Sequence, residues 1–553
     1  MASAEPVVGP PESANLTHRS VDARAMLLPA ALLAALSAAL KGALLAVDAF
    51  PFNADEAIVA LMARHMLRGE WPAFFYGQAY LGSLDPALVA AGFAAFGEHV
   101  LVIRLLQTLL FALTVFTGTL LSWRVLRSRP AAIATGLLLA VPTVNVTLYT
   151  TVSIGGYGEA LLLGQILLLI TLALLDHPRP WLYAVWGLVA GVAFWTFGLT
   201  LVYILPAISL LAWRDAHRRP RRAALAGWPL AIAGGALGMA PWLAWALVHS
   251  PGTLVGELLG SAIAGASPSS LPQAWLEHLR NLLLLGGSVT LGFRPPWDVR
   301  WLALPLLPFV LAVWAAVFLH AVTLLRRRGP ALAGTWMIAG VALATVVGFV
   351  LTPFGADPSG RYFLPLAFPL AFFLGSLAAD LRPRIGRFAA VSLVLLVVAY
   401  NLWSMTECVR RDPPGLTTQF DPVARVNTRG YQDLIDFLEI HGERAGYTNY
   451  WVAYPLAFLS EERLVFVPRL PYHEDFRYTS RDDRYPPYGA IVEDSPRAAY
   501  ITTNHPELTE RLRAGFGAQG VTFSEVDVGG FHVFFGLSDR ITPEMIGLAS
   551  GGS

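Results

Sequence analysis

Charged residues and cysteine are both scarce in this chain, and each shortage limits what the protein can be. Of its 553 residues only 14% are charged, whereas about 25% is usual for a soluble globular protein. The mean hydropathy is correspondingly high, at +0.54. The single cysteine, Cys408, excludes an intrachain disulfide and a cysteine-rich metal site. Because the net charge is only +1, we expect no nucleic-acid partner.

Several short catalytic motifs are also missing. The chain has no Walker A loop, no Gly-x-Gly-x-x-Gly, no His-Glu-x-x-His and no clear nucleophile elbow. These absences argue against enzymes that hold nucleotides or zinc with such loops, and against serine hydrolases.

Long apolar segments are abundant instead. A helix needs about 20 apolar residues to cross the hydrocarbon core of a membrane. Eleven segments meet or approach this length, so the sequence predicts a polytopic α-helical membrane protein. The stretch 181–213 is divided into two short spans that turn near Phe197-Gly198, because both of its charged ends have the composition of cytoplasmic loops. The predicted spans are 25–47, 100–123, 131–149, 156–175, 181–196, 198–213, 225–247, 301–323, 331–351, 362–380 and 387–405.

Arginines occur in every second loop, as the positive-inside rule requires of cytoplasmic loops. This alternation predicts that the polar N-terminus, residues 1–24, lies in the cytoplasm and that 25–405 form the membrane domain, with an uncleaved first span. Segments 48–99 and 248–300 become outer loops, and the predicted location is the cytoplasmic (inner) membrane. The arginines are Arg124, Arg127, Arg129, Arg179, Arg214, Arg218, Arg219, Arg221, Arg222, Arg326–Arg328, Arg382, Arg384 and Arg387.

The chain changes character after Tyr400, where charged residues and tyrosines become common. Residues 406–553, here called the tail, are predicted to be a soluble extracytoplasmic α/β domain. Helical spacing covers Tyr431–His441 and Glu507–Phe516, and the strand patterns are Leu464–Pro468, Ala498–Thr502 and a hairpin, Val521–Phe535, around Gly529-Gly530.

The first outer loop contains the most informative polar residues. Asp55 and Glu56 follow the first span directly, at a membrane–water boundary that a lipid head group can reach, and such carboxylates can serve as a general base. Tyr76, Gln78 and Tyr80 belong to an aromatic stretch that would anchor the loop at the interface. The alternative is that both acids only stabilise the start of a helix running to Arg68.

These motifs, taken in order, resemble a known family. Asp55-Glu56-Ala57 after the first span, the Gly-Gln-x-Tyr-x-Gly loop at 77–82, and Phe96-Gly97 with Arg104 look like the GT-C membrane glycosyltransferases. The nearest groups are the dolichyl-phosphate-mannose protein mannosyltransferases and the lipid A aminoarabinose transferases. The resemblance is clear over about 40–125 and diffuse beyond. Arg361-Tyr362-Phe363-Leu364-Pro365 is similar to their Arg-Tyr-x-Leu-Pro signature.

The resemblance implies an inverting glycosyltransferase. It would move a sugar from a polyprenyl phosphate to a glycan, lipid or protein acceptor on the outer face of the membrane. An acid of the first outer loop, here Asp55 with Glu56 beside it, would activate the acceptor or hold a divalent metal ion. The chain lacks the Trp-Trp-Asp-Tyr-Gly type element of oligosaccharyltransferases, which disfavours transfer of a whole glycan to asparagine.

Three further residues are candidates for binding the acceptor or a metal: Asp85, Glu159 and His278. Asp85 could instead be the N-cap of a helix with Pro86 at its first position. An acid inside a span is a functional candidate by default, but Glu159 could also pair with an arginine such as Arg104. His278 could equally be an ordinary surface histidine.

Arg361, with Tyr362 beside it, is the candidate for the donor phosphate. A guanidinium is always charged and binds phosphate oxygens through two parallel hydrogen bonds. Arg361 could instead be an interfacial anchor that reaches the head groups. In the tail, Trp451, Tyr454 and Tyr485 could stack on sugar rings, although we favour packing of these aromatic residues against the membrane domain.

Two other functions compete with the transferase. A lipid-linked sugar transporter should show internal repeats, which the sequence lacks. A non-catalytic glycan- or lipid-binding membrane protein would tolerate the loss of Asp55 and Arg361 but depend on the tail aromatics Trp451 and Tyr485.

Overall fold

A computed structural model describes residues 24–217, 226–249, 252, 256–257, 270–327, 331–411 and 415–548. The predicted cytoplasmic N-terminus lies outside the described residues except for Arg24, and much of the predicted outer loop 248–300 lies outside them as well.

Each of the eleven predicted spans corresponds to helical structure. Within the described ranges, eight helices are long and apolar enough to cross a membrane, and a bent pair would make a ninth span. Two shorter apolar helices, Arg129–Ala140 and Pro180–Thr196, occupy the remaining predicted positions. The eight are Arg24–Ala46, Val100–Leu126, Tyr157–Asp176, Gly198–His217, Leu307–Arg326, Leu332–Leu351, Arg361–Arg384 and Arg387–Arg411.

Prolines explain why two predicted spans are interrupted. The segment 131–149 divides into Arg129–Ala140 and Val144–Tyr149 because Pro142 forces the preceding residue out of the helical conformation. The bent pair, Trp228–Gly238 and Ala240–Val248, turns by 68° where Pro241 lacks the N–H of a continuous helix. The predicted turn between 181–196 and 198–213 is confirmed, since Phe197 is extended and bridges to Leu81.

The first outer loop folds into two helices and a hairpin. The helices are Ala54–Leu67 and Leu84–Phe96, and the strands are β1, Phe74–Phe75, and β2, Gln78–Gly82. The predicted helix from Asp55 to Arg68 is confirmed, and Asn53 caps it by accepting a hydrogen bond from the Glu56 N–H at 3.0 Å. The alternative of Asp85 as N-cap is wrong, because the helix begins at Leu84 and Ser83 occupies the cap position.

The tail contains five strands: β3, Ala445–Thr448; β4, Val465–Pro468; β5, Ala499–Thr502; β6, Ser524–Val528; and β7, Phe531–Phe535. They form one mixed sheet in the order β4-β3-β5-β7-β6. β3 is parallel to both of its neighbours, whereas β7 is antiparallel to β5 and β6. The predicted helices, strands and hairpin are all confirmed within one or two residues, except that the hairpin begins at Ser524. The tail helices are Tyr431–His441, Tyr450–Leu459, Pro487–Asp494 and Pro506–Ala518.

The tail helix Tyr450–Leu459 packs directly against the loop helix Ala54–Leu67. Phe458 is central to this contact, with its ring 5.8 Å from Phe52 and stacked at 6.1 Å on Phe93. The guanidinium of Arg64 lies over the same ring and donates to the Phe458 carbonyl at 3.2 Å. The tail is therefore anchored on the first outer loop.

Charged groups reinforce this docking around Glu462. Its carboxylate contacts His65 Nε2 at 2.8 Å and accepts from Arg68 at 2.7 Å and from the Tyr488 hydroxyl at 2.8 Å. Although burial alone would raise the pKa of Glu462, these partners lower it to about 2. Glu462 therefore stays ionised and holds the loop helix and the tail together.

A buried ion pair joins the loop to the next span. Glu56 has no exposed surface and accepts two hydrogen bonds from Arg104, at 3.0 Å each. Burial raises the pKa of Glu56, and the facing guanidinium opposes that rise. Both partners have left water, so removal of one would leave an uncompensated buried charge.

We expect Glu56→Leu to destabilise the protein by about 3–5 kcal/mol, because it leaves Arg104 buried without its partner. The double variant Glu56→Leu with Arg104→Met should recover most of that loss, since neither charge remains. Thermal unfolding in one detergent would compare the two variants with the wild type. Equal destabilisation of the single and the double variant would contradict this account.

Candidate functional site

An apolar groove of about 290 Å³ opens between the helices Gly198–His217 and Leu332–Leu351. Both helices are long and apolar enough to be membrane spans. Tyr80 of the first outer loop and Tyr362 line it together with apolar side chains. The other lining residues are Phe194, Phe197, Gly198, Leu199, Leu201, Val202, Leu205, Ala344, Thr345, Gly348, Phe349, Thr352 and Phe354.

Arg361 adjoins this groove through Tyr362. Its guanidinium carbon lies 5.1 Å from the centre of the Tyr362 ring, and Nη2 is 2.5 Å from Asp357 Oδ2. The side chain is 32% exposed, and its Nε–H has no hydrogen-bond partner among the described residues. A charged donor is thus available next to the groove.

The backbone before Arg361 requires glycine. Gly360 has a φ of +92°, and a Cβ atom there would lie 2.5 Å from Val289 and 2.7 Å from the Asn145 side-chain oxygen. Asn145 also donates to the Gly360 carbonyl at 3.1 Å. This packing holds the start of the Arg361–Leu366 turn in one position.

Asp55 differs from its neighbour Glu56 in being accessible. It is partly exposed, and its Oδ1 accepts a hydrogen bond from the Tyr450 hydroxyl of the tail at 2.5 Å. The cap at Asn53 places Asp55 in the first turn of its helix, where a carboxylate is favoured by the helix dipole. Asp55 can therefore meet a substrate while one of its oxygens remains held.

Charged groups from several parts of the chain affect the pKa of Tyr80. Burial raises the pKa of its hydroxyl, Arg361 and Arg484 lower that pKa, and Asp55 and Asp357 raise it. The loop acid, the predicted phosphate-binding arginine and a tail arginine thus all contribute to the electrostatic surroundings of one tyrosine at the groove.

The tail contributes two charged groups that the sequence did not single out. Arg484 lies over the Tyr450 ring at 5.6 Å, and the adjacent Asp482 is buried. Burial raises the pKa of Asp482 to about 7, although Arg484 opposes the rise. No local pattern marked these residues, since only the fold brings them to the first outer loop.

The loop residues predicted to position the site do contact the tail. Gln78, with its amide oxygen turned toward the guanidinium, accepts from Arg484 at 2.8 and 3.0 Å. Tyr76 contacts His65 Nδ1 through its hydroxyl at 2.8 Å and stacks on Tyr485 at 4.7 Å.

Asp85 and Glu159 form a pair of acids inside the protein. Both are buried and face each other, and burial raises the pKa of Asp85. Ser153 donates to Asp85, and Gln107 does so at 2.9 Å. The alternative pairing of Glu159 with Arg104 is wrong, because Arg104 binds Glu56.

His278 is neither at the surface nor beside the loop acids. It is buried, contacts the Val350 carbonyl through Nδ1 at 2.9 Å and packs against Gly355. Across the described ranges, no three His, Cys, Asp or Glu side chains form a group that could hold a metal ion. The residues therefore do not fit the divalent metal that the sequence left open.

Of the three tail aromatics, Tyr485 contacts the first outer loop, whereas the contacts described here for Tyr454 and Trp451 lie within the tail. The Tyr454 hydroxyl donates to the backbone carbonyl of Asp482 at 2.8 Å and accepts from the backbone N–H of Arg484 at 2.5 Å. The Tyr485 hydroxyl donates to Glu70 at 3.2 Å, and Trp451 meets Tyr472 edge-on at 6.1 Å. Tyr454 and Tyr485 thereby fix the segment that carries Arg484.

Comparison with known proteins shows likeness in fold. No protein-family model matches the sequence, and no curated protein sequence matches it. The crystal structure of ArnT from Cupriavidus metallidurans bound to undecaprenyl phosphate aligns with 91% of this chain and 97% of its own, at a TM-score of 0.53 and 15% identity. The apo structure of the same protein aligns with 90% and 97%, at a TM-score of 0.55 and 14% identity.

A weaker likeness, with a TM-score of 0.48 and 12% identity, is to the oligosaccharyltransferase AglB from Archaeoglobus fulgidus in complex with an inhibitory peptide and a dolichol-phosphate. It covers 94% of this chain and 74% of AglB. The chain therefore shares its fold with ArnT, and this likeness agrees with the GT-C resemblance that the loop motifs and the Arg361 signature predicted.

Burial of Asp482 has a consequence for stability. Its pKa rises from 3.8 to about 7 on folding, so the folded protein holds this proton more tightly than the unfolded chain does. The free energy of unfolding should therefore decrease as the pH rises through that interval and then level off. Asp482→Asn should remove this decrease, so its melting temperature relative to the wild type should rise between about pH 4 and pH 7. The exposed variant Asp475→Asn is the control, and parallel profiles for Asp482→Asn and the wild type would contradict the assignment.

Proposed function

We propose that this protein is an inverting glycosyltransferase that moves a sugar from a polyprenyl phosphate to an acceptor hydroxyl. The single observation that carries the proposal is a set of contacts beside an apolar groove between two candidate membrane spans. Arg361 adjoins Tyr362 in the groove wall, and Asp55 is linked through Tyr450 and Arg484 to the strand that carries Tyr80. A lipid-linked donor needs an apolar channel, a cation for its phosphate and a base for the acceptor, and these groups would supply all three.

The groove suits a polyprenyl chain. Its walls are almost entirely apolar, and its tyrosines, Tyr80 and Tyr362, lie where the chain would meet the phosphate. ArnT, which shares the fold, has been crystallised with undecaprenyl phosphate. We infer that the lipid enters sideways from the bilayer between the two helices that form the groove.

Arg361 would bind the donor phosphate. One terminal nitrogen of Arg361 is paired with Asp357, while the Nε–H of Arg361 has no hydrogen-bond partner among the described residues. A guanidinium can donate two parallel hydrogen bonds to a phosphate. The tightly packed backbone at Gly360 would hold the main chain of Arg361 in place. Tyr362 would complete the wall between phosphate and lipid.

Asp55 would act as the general base. It takes the proton of the acceptor hydroxyl as that oxygen attacks the anomeric carbon. The bond from the anomeric carbon to the phosphate oxygen breaks, and its electron pair stays on the polyprenyl phosphate. One displacement inverts the anomeric centre and needs no protein nucleophile. Tyr450, bonded to Oδ1, would orient the carboxylate so that Oδ2 faces the acceptor.

The remaining predicted site residues have supporting positions. Glu56 holds Arg104 and so fixes the helix that carries Asp55. Because the described acids and histidines do not fit a metal ion, no step is assigned to one. In this proposal the tail lies on the extracytoplasmic side of the cytoplasmic membrane, as the arginine pattern predicts.

We expect Asp55→Asn to lower kcat by about 100-fold or more, because the amide cannot accept the acceptor proton. The variant should keep the wild-type melting temperature, since the amide oxygen can still accept from Tyr450. The assay would follow transfer from a radiolabelled polyprenyl-phosphate sugar in reconstituted vesicles.

Asp48→Asn is the matched control, because Asp48 lies in the same loop but its side chain is 63% exposed. It should transfer at the wild-type rate. Full transfer by Asp55→Asn would refute the assignment of the base.

We expect Arg361→Gln to weaken the affinity for the donor roughly tenfold, because a charge-assisted hydrogen bond to phosphate is lost. Initial rates at varied donor concentration would show this as a higher KM. Arg429→Gln, at an 81% exposed arginine of the tail, should leave KM unchanged. An unchanged KM in Arg361→Gln would place the phosphate elsewhere.

A further inference from the structure

The tail inserts one arginine into the site formed by the membrane domain. Arg484 lies in the segment between Asp482 and the helix Pro487–Asp494. Its backbone N–H donates to the Tyr454 hydroxyl at 2.5 Å. Its side chain crosses the tip of the loop hairpin, where a Cβ at Gly77 would approach its Cδ to 3.0 Å. Gly77, with φ +69°, leaves room for this crossing.

The guanidinium of Arg484 is held in one orientation. The Gln78 amide oxygen accepts from both terminal nitrogens, at 2.8 and 3.0 Å, and the Tyr450 ring lies 5.6 Å away. The Nε–H is buried and has no hydrogen-bond partner in the part of the chain that the structure describes. A cation is thus positioned with a donor that the protein itself leaves unsatisfied.

The hairpin directs this cation toward the groove. Side chains two residues apart on a strand point to the same face, so Gln78 and Tyr80 share one face of β2. Tyr80 lines the apolar groove together with Tyr362, next to Arg361. Arg484 and Arg361 therefore approach the same end of the groove from two different parts of the chain.

Carboxylates accompany both arginines. Asp357 pairs with Arg361, and Asp55 is held by the neutral hydroxyl of Tyr450. Asp482, beside Arg484, is buried. In both arginines the Nε–H is buried and has no hydrogen-bond partner among the described residues.

We propose that Arg484 is a second phosphate-binding residue, supplied by the tail, that stabilises the polyprenyl phosphate as it leaves. This inference rests on the proposed function. The donor phosphate is a diester with one negative charge, and cleavage of the bond to the anomeric carbon leaves a monoester with two. Arg361 meets the first charge and Arg484 meets the charge that develops during the reaction. The tail is therefore part of the active site.

A purely structural role for Arg484 makes a different prediction. If the residue only fixed the tail on the hairpin, its loss would affect a charged and an uncharged lipid equally. If it binds phosphate, its loss affects only the lipid that carries phosphate. The comparison of a polyprenyl phosphate with the matching polyprenol separates these two roles.

The experiment measures binding of both lipids to the full-length detergent-solubilised protein, carrying Arg484→Gln, Arg484→Lys, Arg361→Gln or Arg497→Gln. We expect Arg484→Gln to bind polyprenyl phosphate about tenfold more weakly or worse and polyprenol as the wild type does. Arg484→Lys should recover part of the affinity because it keeps the charge but loses the planar fork. Arg497, an exposed arginine of the tail, provides the control and should change neither affinity.

Each result decides between the proposals. Wild-type affinity of Arg484→Gln for polyprenyl phosphate, together with weakened binding by Arg361→Gln, would overturn the role of Arg484 and leave the proposed function standing. Wild-type affinity in both variants would overturn the phosphate site as a whole. Equal loss of both lipids in Arg484→Gln would show a structural role. If Arg484→Gln does not fold, Arg484→Lys decides, since full polyprenyl phosphate affinity there would exclude bidentate recognition.

Discussion

The packing of the tail helix Tyr450–Leu459 on the loop helix Ala54–Leu67 is the contact on which the rest of the site depends. Phe458 supplies the apolar part of this interface, and Glu462 supplies its charged part. The same docking places the Tyr450 hydroxyl on Asp55 and carries Arg484 over the hairpin. An acid at a membrane boundary becomes part of an organised site only through a domain that lies about 400 residues further along the chain.

The apolar surroundings explain why polar groups occur in satisfied sets. Lys41, within the first span, donates to the hydroxyls of Thr150 and Thr151 at 2.8 and 2.9 Å, and Glu56 is matched by Arg104. Where no solvent is available, each charge needs such a partner to remain inside. The Nε–H groups of Arg361 and Arg484 are among the buried polar atoms of the described residues that have no partner, as are both carboxylate oxygens of Glu159.

Much of the architecture could be predicted from the sequence because its determinants are local. Apolar length identified the eleven helical segments, and alternating or helical spacing located two tail helices, two strands and the terminal hairpin within a few residues. The strand Ala445–Thr448 and the helices Tyr450–Leu459 and Pro487–Asp494 were not predicted. The prolines at 142 and 241 then shortened or bent two of those segments. Asp55 and Arg361 were also found locally, since each follows or begins an apolar segment within a recognisable motif.

The sequence by itself determined the membrane class, the helical segments and the two residues that define the proposed chemistry. Only the tertiary structure decided that Glu56 pairs with Arg104, that Asp85 and Glu159 are buried together, and that Tyr450 and Arg484 join Asp55. Hydrophobic length and periodicity are properties of neighbouring residues, so a sequence displays them directly. A hydrogen bond between residues hundreds of positions apart depends on how two domains dock, and no local pattern records that.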